Sequence, residues 1–155
     1  MNFKNLQEVI DFAIEKEIEA ADFYEQVSQQ ESMSGAKDML LEFAAEEKKH
    51  RRLLEELKNK GIVEGISEYK FKWIPDIKRS NYITEMEYRP GMTYSELLLL
   101  AMKREEKALA LYNQLLEQAE GESSKHLFKM LCQEEAKHKL ALETKYDDYM
   151  AEMGD

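Results

Sequence analysis

The chain has 155 residues, enough for one domain with a proper buried core, and its 32 acidic against 22 basic residues leave a net charge of −10. That charge argues against nucleic acid or an anionic membrane as partner, and the longest apolar run, Leu97 to Met102, is far too short to span a bilayer. The N-terminus, MNFKNLQEVIDF, lacks the apolar stretch of a secretory signal, which sets a cytoplasmic protein as the expectation. The single cysteine, Cys132, excludes an intrachain disulfide and any multi-cysteine zinc or iron–sulfur cluster within the chain.

Gly and Pro are scarce while Glu, Lys, Leu and Ala dominate, a composition that favours long helices. The pattern predicts a first helix over about 5–30 and, after a break at Ser32-Met33-Ser34-Gly35, a second over about 36–60. Residues 61–92 contain Gly61, Gly65, Pro75, Pro90 and Gly91 and read as an irregular connection with room for a short helix. A third helix is expected over about 93–120 and a fourth over about 123–150. Asn5 with Glu8, and Thr93 with Glu96, each fit an N-cap followed three residues later by Glu, a pair that satisfies orphan backbone donors at a helix start.

A shift of 88 residues superimposes the two helical hairpins without a gap. Glu17, Ala20 and Tyr24 fall on Glu105, Ala108 and Tyr112, and Glu47 and His50 fall on Glu135 and His138. Even the two caps obey the same shift. Surface helices share Glu and Lys readily by chance, but they rarely share the Tyr and the His as well.

Steps of three and four trace one face of each helix. The first face reads Ile10, Ala13, Glu17, Ala20, Tyr24, Val27, and the third reads Leu98, Ala101, Glu105, Ala108, Tyr112, Leu115. The second reads Leu40, Phe43, Glu47, His50, Leu54, Leu57, and the fourth reads Phe128, Leu131, Glu135, His138, Leu142 and then Lys145, where the pattern frays. Every face is apolar at its ends and ionisable in its middle, so four carboxylates and two imidazoles are expected in one core layer. A lone buried carboxylate costs several kcal/mol unless neutralised or paired, and no Lys or Arg is expected in that layer. Two divalent cations would balance four carboxylates. Glu oxygen and His nitrogen suit iron or manganese, with zinc also open. Glu-x-x-His places both side chains one turn apart on the same face. The metal ligands are therefore expected to be Glu17, Glu47, His50, Glu105, Glu135 and His138.

Tyr24 and Tyr112, two turns along from Glu17 and Glu105, read either as donors to the carboxylates or as plain core packing. Glu46 and Glu134 read as solvated or as hydrogen-bonding behind the ligands, His126 as surface, and Cys132, which stands where the first half has Ala44, as a small core residue. Trp73 with Phe71 and Ile74 reads as an anchor for the long connection, with partner binding as the other reading.

The segments Glu17-x-x-Ala20-x-x-x-Tyr24 and Glu47-x-x-His50, with their copies, resemble the ligand-bearing helices of the rubrerythrin and ferritin-like superfamily over nearly the whole chain. The resemblance implies an all-α, ferritin-like four-helix bundle in which two repeated hairpins are joined by a long left-handed crossover at 61–92. It also implies a di-iron oxidoreductase that reduces peroxide or dioxygen, in which Glu47 and Glu135 bridge the metals, Glu17 and Glu105 are terminal, and His50 and His138 each take one iron. Two departures stand out. Rubrerythrins carry a further carboxylate where this chain has Ala108, so a more symmetric site is expected. The chain also lacks the paired Cys-x-x-Cys motifs of a rubredoxin domain, so the electron donor is expected to be a separate protein such as a rubredoxin. A homodimer is expected. Iron storage with a ferroxidase step, and a metal-stabilised interaction module without turnover, are the alternative functions.

Overall fold

The protein is described from a computed structural model that covers residues 3–30, 34–69, 71 and 87–153. Among these residues there are five helices and no strand: α1 Leu6–Gln30, α2 Ser34–Lys60, α3 Ile62–Glu68, α4 Tyr94–Gln118 and α5 Glu122–Glu152. The all-α expectation holds, and the four long helices lie within two residues of their expected bounds. Of the break expected at 32–35, Ser34 and Gly35 already belong to α2, and the rest lies outside the described residues. The short helix for which the connection had room is α3, entered through Gly61 at φ 113°.

The chain divides into two compact units, Met1–Tyr69 and Lys70–Asp155. In the first, α1 packs along α2, and α3 packs against α2. Ile10, Ala13, Tyr24 and Val27 of α1 and Leu40, Phe43, Leu54 and Leu57 of α2 are all buried. These are the apolar ends of the two faces, and each fully buried Leu or Ile contributes roughly 1.5–3 kcal/mol through apolar area removed from water. Tyr24 closes on Phe43 edge-on, with centroids 5.4 Å apart. Lys58 Nζ bonds Asp11 Oδ1 at 2.6 Å, and Lys48 pairs with Glu25, which fixes an antiparallel register. Gly65 sits so close to Leu57 that an added Cβ would meet its Cδ1 at 2.1 Å. A side chain there would force the end of the Leu57 side chain to move.

The second unit repeats the plan with α4 along α5. Leu98, Ala101, Tyr112 and Leu115 of α4 and Phe128, Leu131 and Leu142 of α5 are buried. The turn between the helices is short because Gly121 takes φ 87°, a left-handed conformation that L side chains resist. Both expected caps form. Asn5 Oδ1 accepts from the Glu8 backbone N–H at 2.9 Å, while Glu8 reaches back one residue further, to the N–H of Lys4. Thr93 and Glu96 make the full reciprocal box. Of the aromatic and apolar residues expected to anchor the connection, Phe71 is exposed, and Trp73 and Ile74 lie outside the described residues.

Candidate metal centre

Each hairpin gathers its own three predicted ligands. In the first unit α1 contributes Glu17 and α2 contributes Glu47 and His50, one turn apart. His50 Nδ1 lies 3.5 Å from Glu17 Oε2 and 3.8 Å from Glu47 Oε2. Both carboxylates are buried, at 5% and 2% exposure. In the second unit α4 contributes Glu105 and α5 contributes Glu135 and His138. His138 Nδ1 approaches Glu105 Oε1 to 3.1 Å, and all three residues are buried. One ligand atom from each of Glu105, Glu135 and His138 can be chosen so that all three lie within 4.8 Å of one another.

These residue sets fit a divalent cation. Oxygen and nitrogen ligands sit about 2.0–2.2 Å from a metal such as zinc, so two of them stand no more than roughly 4 Å apart. The observed spacing needs only a small rotamer adjustment to reach that. Burial supplies the second part of the test. Glu135 Oε2 is buried and meets no hydrogen-bond donor among the described residues, a state that costs far more than a solvated carboxylate unless a cation occupies the lone pairs.

Tyr24 and Tyr112 occupy matching places beside the two sets and are almost fully buried, at 1% and 2% exposure. The flanking acids form ion pairs 88 residues apart: Glu46 with Lys49 at 3.0 Å at the surface, and half-buried Glu134 with Lys137 at 2.8 Å. His126 is at the surface, with its side chain 50% exposed. Cys132 is half-buried, not a core residue as its alignment with buried Ala44 suggests, because its Sγ turns toward Asn113 Oδ1 at 3.4 Å. Burial, aided by the charge of Glu135, pushes its thiol up to about 11.

Sequence reasoning missed one feature near the ligands. Lys139, next to His138, is 4% exposed and pairs with Glu143, 1% exposed, at 3.7 Å. A Lys buried next to a ligand in sequence was not expected, and this one brings its own counter-charge. In the first half the equivalent pair, Arg51 and Glu55, stays at the surface at 2.6 Å. An i,i+4 basic–acidic pair reads as a solvated face in either half. The available signal was Leu140, which stands where the first half has Arg52.

Comparison with known proteins then decides the kinship. The model of the ferritin-like domain matches residues 6–146, which include both hairpins and all six candidate ligands. The chain belongs to the ferritin-like domain family. This ferritin-like chain is also similar to the solved structure of a hypothetical protein from Pyrococcus furiosus, at 27% identity and a TM-score of 0.51. That similarity covers 93% of this chain and 89% of the other. No curated protein matches it. Among the described residues of this ferritin-like protein, no helix is long and apolar enough to cross a membrane.

Proposed function

We propose that the protein is a di-iron oxidoreductase of the rubrerythrin kind, in which Glu17, Glu47 and His50, and Glu105, Glu135 and His138, would hold the ions. The observation that carries this reading is the buried, donorless Glu135 Oε2 within the Glu105–Glu135–His138 set, in a chain whose other half repeats that set residue for residue. The two carboxylates in each hairpin's set match the charge of one divalent cation, which leaves a buried site near neutral. Lys139 and Glu143 cancel one another and do not disturb that balance.

In this reading Glu17, Glu47, Glu105 and Glu135 would offer carboxylate oxygens to the ions, and His50 and His138 would each offer one imidazole nitrogen. When bound, the ions would supply the electrons that reduce peroxide to water, a two-electron, two-proton change. The chain's own part would be to keep water from the reaction, since Tyr24, Tyr112 and the ligand carboxylates are all buried. The phenolic O–H of each Tyr would be a buried proton source. The two electrons per turnover come from outside, and we assign them to a separate donor such as a rubredoxin. The working form is a homodimer in the cytoplasm.

Anaerobic loading followed by elemental analysis should find two irons per chain, and stopped-flow mixing with peroxide should then give an absorbance change within seconds. A loaded protein that stays spectrally silent is not a redox enzyme. Elution from size exclusion as a very large assembly would point to iron storage in its place.

A further inference from the structure

The two hairpins carry the same three ligand types but do not enclose them equally. In the second, Glu105, Glu135 and His138 are 4%, 4% and 6% exposed, and one donor atom from each falls in a group no wider than 4.8 Å. One turn along α5 from that group, the Lys139–Glu143 pair is buried as well. In the first, the His50 side chain keeps 15% exposure, it stands 3.5 Å from Glu17 against 3.1 Å between His138 and Glu105, and the equivalent Arg51–Glu55 pair has side chains 47% and 44% exposed.

We propose that the second hairpin is a complete one-ion site that fills first. Glu105, Glu135 and His138 take the first divalent cation, and Glu17, Glu47 and His50 take up the second. This rests on the two-ion reading above but adds an order to it. Three donors already gathered lose little freedom on binding, so more of the interaction appears as affinity. Deep burial lowers the effective dielectric, which strengthens the attraction between cation and carboxylate. The two carboxylates of this set carry a charge that one divalent ion cancels, and Glu135 Oε2 has a lone pair that no described donor uses. Lys139 and Glu143 neutralise each other, so they add no competing charge to the set.

The chain has three histidines, His50, His126 and His138, so one spectroscopic experiment can read all of them. Cobalt(II) chloride is titrated into metal-free, nitrogen-15-labelled protein, and the imidazole resonances are followed by NMR. Assignments come from the His50→Gln and His138→Gln variants, with circular dichroism confirming that each remains helical. The expected result is that His138 shifts with the first equivalent and His50 only with the second, while His126 stays still. The His138→Gln variant should weaken the first step by more than the roughly 10–100-fold that losing a hydrogen-bonded supporter of a ligand costs. His50→Gln should leave the first step unchanged. If His50 shifts first, or both rings shift in parallel, the proposed order is wrong. Movement of His126 together with both rings marks surface binding and overturns it too. Saturation at one equivalent with only His138 affected would uphold this proposal while overturning the two-ion function, and silence of every ring would overturn both.

Discussion

At the scale of single residues, burial decides which side chains matter. Ile10 and Leu98 occupy equivalent places in the two halves and are both fully buried at 0% exposure. Replacing Leu98 by Ala removes apolar contacts and leaves a cavity, a change that typically costs 2–5 kcal/mol. Chemical denaturation of Leu98→Ala should show that loss, with Ile10→Ala close to it because the environments match. Cys132 offers a different readout. Burial raises its thiol from an ordinary 9.0 to about 11, so at pH 8 the folded protein presents almost no thiolate. A thiol-reactive reagent should therefore label the native protein far more slowly than the unfolded chain. The sign for stability follows: this contribution is present in full below pH 9 and is lost as pH rises from 9 toward 11, where only the unfolded chain has released its proton.

Helices are placed by their ends as much as by their faces. Thr93 Oγ1 accepts from the Glu96 N–H at 3.2 Å, and the Thr93 N–H donates to Glu96 Oε1 at 3.0 Å. The backbone bond from Thr93, helped by its hydroxyl and by Arg89, holds the Glu96 carboxyl below its usual range. A carboxyl lowered on folding stabilises above its ordinary value of 4.5, and that help fades as pH falls through the folded value. Thr93→Ala should cost about 1 kcal/mol, and Thr93→Ser should restore most of it, as thermal unfolding at pH 7 would show. The four long helices were legible because apolar spacing ran along each of them and caps marked the starts of two. Their central acids and histidines were legible because the repeat singled them out from thirty-two acidic residues. The burial of Lys139 and Glu143 was not legible, since an i,i+4 pair looks the same whether water or protein covers it. The half-burial of Cys132 was hidden for a similar reason: its alignment with Ala44 carries no information about the turn of Sγ toward Asn113.

For the whole molecule, folding and metal uptake are linked. An ion that binds only the folded state adds RT ln(1 + [L]/Kd), about 2.7 kcal/mol when the free ion stands at 100 times Kd. For a chain of this length about 1 kcal/mol moves Tm by roughly 2–4 °C, so loaded protein should melt roughly 5–10 °C above protein held in chelator. Equal melting temperatures would show that no ion is tightly held. The same comparison on Glu135→Gln should give a smaller gap, because one of the four carboxylates can no longer offer a charge. Its metal-free form should be at least as stable as the parent, since burying an amide costs less than burying an unpaired carboxylate.

The unbroken 88-residue repeat has a consequence for which changes of length the chain tolerates. A helix advances about 100° per residue, so deleting one residue between the Asn5 cap and Glu17 would swing that ligand off its face. The same holds between Thr93 and Glu105, or between Glu47 and His50. Losing a residue from the stretch 72–86 leaves every spacing inside the two hairpins as it was. Sequence drift should therefore lengthen and shorten this protein between its helices, above all between its halves, with the spacings from cap to ligand and from ligand to ligand counted out to the residue.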